Sequence, residues 1–225
     1  MKKTLFFLLV FCSLVVRAQD CTTVWPYLYQ DFTEGAVNKT SGSTVNYKLN
    51  IHVKESKLHF LSGNLVNQAF LMDVASVRIG EDIYIPVRQQ QLMKVVAQEG
   101  ENYALKLVVA DLSSLNETGG AYGMGSSTSA TNKLSSIETD AQINQNHMLL
   151  KASKNNGESL DLETTYYFLL DGELLEAAAR VVEKKIAPQD KAAWKQFKKD
   201  NKVRWNNEES LSKVLGFLVS TKGNY

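Results

Sequence analysis

The chain has 225 residues, 22% charged and 44% hydrophobic, with 13 Gly, 3 Pro and a formal net charge of +1. That composition excludes collagen-like, low-complexity and wholly disordered chains. A domain this size buries roughly 70–75% of its unfolded surface, so it needs neither disulfide nor metal as a staple.

Residues 1–18 have the three parts of a secretory signal peptide. Lys2 and Lys3 supply the charged start, and Thr4 to Val16 is an apolar run too short to span a bilayer of roughly 30 Å. Val16-Arg17-Ala18 places cleavage before Gln19, with a cut after Gln19 as the alternative. The remaining chain carries 22 basic and 24 acidic side chains. Cys12 leaves with the signal and Cys21 stays alone, so no intramolecular disulfide can form. Ala18-Gln19-Asp20 is the wrong context for lipidation of Cys21. No later run approaches 18 apolar residues, so no transmembrane helix is expected in the mature chain.

Residues 19–111 read as an antiparallel meander. Val45, Tyr47, Leu49, Ile51 and Val53 share one strand face, with Asn46, Lys48, Asn50 and His52 on the other. Further strands are expected at Lys57–Leu61, Leu65–Leu71, Val74–Ile79, Ile83–Val87, Leu92–Gln98 and Tyr103–Ala110. Turn signals at Ser62-Gly63-Asn64, Gly80-Glu81-Asp82 and Glu99-Gly100-Glu101-Asn102 separate them. Pro86 implies an edge or a bulge near its strand end. A tight turn centred on Glu55-Ser56 would pair Val53 with Leu58, Ile51 with Phe60, and His52 with His59 on the solvent side.

Residues 112–146, with the stretch Gly119 to Ala130, read as a Gly/Ser-rich loop or linker. Residues 147–175 hold further strands, at His147–Ser153 and Glu163–Leu170, with a turn at Asp171-Gly172. Residues 176–225 are a basic helical end, with helices over Glu176–Ile186 and Gln189–Asp200. A last helix is capped by Asn206 and carries a core stripe of Leu211, Val214, Leu215 and Leu218. The fold class is therefore α+β: a mainly antiparallel β meander, as a curved sheet, sandwich or partly open barrel, with a C-terminal helical subdomain. A membrane β-barrel is set aside because the strands are short and the chain ends in helix.

Three short motifs carry a resemblance. They are Val45-Asn46-Tyr47 after a glycine turn, Gly120-Ala121-Tyr122-Gly123 running into Ser126-Ser127-Thr128-Ser129, and Phe197 to Lys202 followed by Asn207-Glu208-Glu209. In these the chain resembles an uncharacterised family of exported proteins of Gram-negative bacteria. The resemblance implies export to the periplasm or cell surface and no particular chemistry.

Charge is unevenly distributed: residues 19–176 hold 11 basic and 19 acidic side chains, residues 177–225 hold 11 and 5. The tail lysines Lys191, Lys195, Lys198 and Lys199 are a candidate surface for an envelope polyanion or an acidic protein partner. The competing reading is a solvated helix face docked on the chain's own acidic body. Nothing marks a nucleic-acid partner. Tyr122, His52 and His59 complete the candidate surface. The two histidines lack a third ligand for zinc, and Lys54 and Lys57 would repel a cation, so no metal or cofactor is expected. The Gly/Ser loop lacks a P-loop ending and a nucleophile elbow. The sequence thus points to a non-enzymatic binding protein of the envelope. A structural component docking on a partner is the first alternative, and a hydrolase using Ser127 or Ser129 with His147 is the second.

Overall fold

In the computed structural model, residues 22–24, 27–87, 91–111, 145–146 and 159–222 are described. The expected signal peptide, Cys21, most of the Gly/Ser stretch with Tyr122, and the expected strand from His147 lie outside them. Twelve strands follow in order: β1 Thr22–Val24, β2 Thr33–Lys39, β3 Thr44–His52, β4 Lys57–Ser62, β5 Leu65–Gln68, β6 Val74–Ile79, β7 Asp82–Val87, β8 Gln91–Glu99, β9 Asn102–Ala110, β10 Gln145–Asn146, β11 Ser159–Leu170 and β12 Glu173–Glu176. The helices are α1 Ala179–Lys185, a 3₁₀ turn Pro188–Asp190, α2 Lys191–Asn201 and α3 Glu208–Lys222.

All strands join one antiparallel sheet in the order β1-β11-β9-β8-β7-β6-β2-β3-β4-β5-β10, with β12 also paired to β11. The sheet curls into a half-barrel. Glycine turns set much of the local register. Gly80-Glu81 joins Ile79 to Asp82, and Gly100-Glu101 joins Glu99 to Asn102, each glycine at positive φ. Bulges between Asn38 and Lys39 and between Val95 and Ala97 add local bend. Pro86 pairs with Leu92 on one side, while pairing with β6 ends at Tyr84, so β7 is locally an edge where the proline stands.

The order is not one simple meander. Strands β2 to β5 and β6 to β9 are two meanders, joined because β2 pairs with β6. Strand β2 escapes the sequence pattern because Glu34-Gly35-Ala36 offers no large apolar side chain. Its glycine is needed for closeness: a Cβ on Gly35 would lie 2.5 Å from the Arg78 carbonyl oxygen and 2.8 Å from Leu49 Cδ1. Gly35→Ala is expected to lower stability in urea unfolding by about 2 kcal/mol. Gly216→Ala on α3, where nothing lies within 4 Å, should instead add about 0.5–1 kcal/mol.

The hairpin β3–β4 corrects the expected register by two residues. Ile51 pairs with Leu58, Leu49 with Phe60, and His52 with Lys57 rather than His59. Residue parity survives, so the apolar face is the expected one. The turn is wider because tertiary contacts hold it. Ser56 Oγ donates to the Leu92 carbonyl at 2.6 Å, Leu92 N–H donates to the Ser56 carbonyl at 2.8 Å, and Ala110 N–H donates to the Val53 carbonyl at 2.8 Å. The turn is thereby fastened across the curl to β8 and β9.

The helices cover the β8–β9–β11 end of the concave face. Leu211, Val214, Leu215 and Leu218 of α3 are buried with Ala104, Tyr166 and Phe168, as the stripe predicts. Trp194 of α2 stacks on Phe197 at 5.6 Å and meets Phe217 at 5.2 Å. The cap moves by one residue: Asn207, not Asn206, accepts the Ser210 N–H at 2.8 Å. The helix expected from Glu176 begins at Ala179, because Glu173–Glu176 turns back through Asp171-Gly172 to pair with β11.

Candidate binding sites on the concave face

Cross-strand register builds a polar row across the middle of the concave face. Tyr84 pairs with Lys94, Lys94 with Lys106, and Lys106 with Tyr166. Like charges directly opposite on neighbouring strands repel, so this pair needs counter-charges close by. Asp82 Oδ1 lies 2.6 Å from Lys94 Nζ, and Glu208 Oε1, at the start of α3, lies 3.0 Å from Lys106 Nζ.

Tyr29 reaches into this row from the segment before β2. Its hydroxyl donates to Asp82 Oδ2 at 2.7 Å and lies 2.6 Å from the Tyr84 hydroxyl. Since the Tyr29 proton is given to Asp82, Tyr84 is the donor to Tyr29. Burial raises the pKa of Tyr29 and of Tyr84, with Asp82 adding to both, so both phenols stay protonated. Burial also works to raise the Asp82 carboxyl, but hydrogen bonds from Lys94 and Tyr29 together with the lysine charges hold it below the usual value. These groups border a cavity of about 250 Å³ whose remaining walls include Leu28, Leu92 and Val108.

Further along the half-barrel an apolar groove of about 420 Å³ opens. Val37, Val45, Tyr47, Leu49, Leu58 and Phe60 form its walls, with the Tyr47 and Phe60 rings 4.9 Å apart. Phe70, 72% exposed, stands at its lip, and Met72 two residues on is 87% exposed. The charges on its rim, Lys39 and Asp73, are paired at 2.8 Å. A larger, shallow depression of about 560 Å³ lies between β11 and Trp205 and gathers mainly threonine and uncharged groups.

The residues singled out in the sequence stand elsewhere. His52 and His59 are not on a solvated face: they are 4% and 7% exposed, with ring centroids 5.0 Å apart. The correction has a clear cause. The segment around Tyr27 packs over that end of β3, its hydroxyl 3.0 Å from His59 Nδ1 and its ring 5.6 Å from each imidazole. Among the described residues no group of three His, Cys, Asp or Glu converges on them. Lys191, Lys195 and Lys199 are exposed on α2, while Lys198 bonds Glu183 of α1 and lies 5.5 Å over the Trp194 ring. Tyr122 lies outside the described residues, as do Ser127, Ser129 and His147.

In the sequence Asp82 stands out only as part of the acidic Gly80-Glu81-Asp82 turn, and Tyr29, Tyr84, Lys94 and Lys106 belong to no motif. A signal existed: Leu92-Met93-Lys94-Val95-Val96 and Ala104-Leu105-Lys106-Leu107-Val108 each put a lysine at a position where the alternation calls for an apolar residue. Pairing outward from the Gly100-Glu101 turn would nevertheless set Lys94 opposite Leu107. The bulge between Val95 and Ala97 shifts it onto Lys106.

The fold thus defines an open antiparallel half-barrel with C-terminal helices over one end of its concave face, a polar cavity, an apolar groove and a shallower depression. Compared with protein-family models, curated proteins and solved structures, the chain matches none of them.

Proposed function

We propose that the chain is an exported, non-enzymatic binding protein that holds a neutral apolar ligand in the groove of its half-barrel. The observation that carries the reading is the groove. Apolar walls from three strands, an exposed aromatic lip and a rim whose two charges neutralise each other favour an uncharged apolar molecule over an ion. Its volume of about 420 Å³ lies within the range of about 300–1,000 Å³ usual for small-molecule sites. Export is supported by the Lys2-Lys3 start, the apolar run to Val16 and the small residue at Ala18. Among the described residues no helix is long and apolar enough to cross a membrane.

The test uses the mature chain from the exported fraction, its first residue Gln19, titrated with N-phenyl-1-naphthylamine, whose fluorescence rises in apolar surroundings. Saturable enhancement is expected. Val45→Glu places a charge in the groove wall and should weaken binding by about tenfold or more, with the unfolding midpoint little changed. Equal dye binding by the two proteins would overturn the assignment to this groove.

A further inference from the structure

The structure assigns a second, separate site to the cavity between Lys94 and Lys106, for a small organic monocarboxylate. The argument rests on an imbalance between donors and acceptors. Each ammonium has three N–H donors, and among the described residues each forms one ion pair, Lys94 with Asp82 and Lys106 with Glu208. Among the described residues this leaves two donors on each lysine for a ligand, the Lys106 ammonium also lying 5.9 Å from the centroid of the Tyr166 ring.

The acceptors facing the cavity are engaged, with Glu208 Oε1 shared between Lys106 and the Tyr166 hydroxyl. Asp82 Oδ1 takes Lys94 and Oδ2 takes the Tyr29 hydroxyl, while the Tyr29 oxygen takes the Tyr84 proton. A ligand that brings acceptors meets the remaining lysine donors. The two oxygens of a carboxylate can each meet one of two ammoniums held on neighbouring strands.

Charge and shape narrow the class further. Two lysines against Asp82 and Glu208 leave the recess balanced, so a single negative charge is tolerated more easily than a phosphate dianion. Leu28, Leu92 and Val108 line the rest, which suits a short hydrocarbon or aromatic body rather than a bare ion. The cavity, at about 250 Å³, is below the range usual for drug-sized ligands, so the body is small. Packing two lysines directly opposite costs stability on its own, and ligand binding supplies a reason for it.

The experiment titrates the full mature chain by calorimetry with benzoate and hexanoate, and with benzamide and hexanamide as neutral matches. Both carboxylates are expected to bind saturably, with the amides at least about tenfold weaker. The double variant Lys106→Met/Glu208→Gln removes one ammonium together with its counter-charge and should lose at least about tenfold in carboxylate affinity. Val108→Phe fills the recess without touching a charge and should lose binding as well, which covers a failure of the double variant to fold. Val45→Glu in the groove should leave carboxylate binding unchanged, separating this site from the apolar one. Amides binding as tightly as carboxylates, full affinity in folded Lys106→Met/Glu208→Gln or Val108→Phe, or inorganic phosphate alone binding, would each overturn the assignment.

Discussion

Replacing Asn50 with alanine is expected to lower the unfolding free energy by about 4 kcal/mol, one of the largest effects of any single polar truncation among the described residues. The side chain is fully buried and uses all of its hydrogen-bonding capacity. Its Oδ1 accepts from Tyr29 N–H at 3.1 Å and from Ile51 N–H at 2.8 Å. Its Nδ2 donates to the carbonyls of Tyr29 at 2.9 Å and Asp31 at 3.2 Å. The chain before β2 leaves the sheet at this point, and Asn50 supplies the bonds that a strand neighbour would have made. Alanine strands several backbone groups, each costing about 1–3 kcal/mol if water cannot reach it. Urea unfolding should show a lower midpoint with unchanged slope. Asn46→Ala, two strand pairs away on the same face but exposed, should stay within about 0.5 kcal/mol of the wild type. An equal, small effect of both would mean that Asn50 does not anchor the segment. The consequence reaches the site, because Asn50 holds the backbone of Tyr29, whose hydroxyl bonds Asp82 in the polar recess.

The second large effect is a loss of stability in mild acid. Burial, reinforced by Lys54 and Lys57 and opposed by Glu55, lowers the His52 pKa from 6.5 to about 4. Between those values the unfolded chain binds a proton that the folded chain refuses, so stability falls as the pH falls through that window. The expected loss from pH 7 to pH 4 is about 3 kcal/mol. From the lower part of that window downward, Glu55 and then Asp82, whose carboxyls sit below their usual values, lose their own contribution as they protonate. His52→Asn keeps an acceptor near the place of His52 Nδ1, which lies 3.4 Å from the Lys54 N–H, and should flatten the decline between pH 6.5 and 4. A decline of the same size in the variant would assign the acid sensitivity to other groups. Because Tyr27 pairs with His52 and bonds His59, this region should be the first to lose hydrogen-exchange protection as the pH drops.

Both predictions arise at places where residue pattern and residue environment part company. Asn46, Lys48, Asn50 and His52 alternate along β3 as one polar face, and the first two are exposed while the last two are buried. Alternation decides which face a side chain takes, and all four share the face it assigns. Whether that face meets water depends on what packs over it, and the covering segment, Tyr27 to Asp31, is distant in sequence, Asn50 reaching Asp31 across 19 residues and Tyr29 across 21. The same holds for the lysines of α2. Their helix and its buried Trp194 are legible from spacing, but the Lys198–Glu183 contact depends on how α1 turns back.

By itself the sequence determined the local grammar of this protein. Glycine turns at Gly63, Gly80, Gly100 and Asp171-Gly172, the alternation of β3 to β9 and the stripe of α3 follow from φ preferences and hydrophobic period, which act over a few residues. Only the tertiary structure decided the seam between β2 and β6, the two-residue shift of the β3–β4 turn, the bulge that sets Lys94 against Lys106, and the covering of the histidines. Each of these is settled by contacts between segments distant along the chain. There a backbone group that finds a partner across the curl outweighs the preference of its own few neighbours.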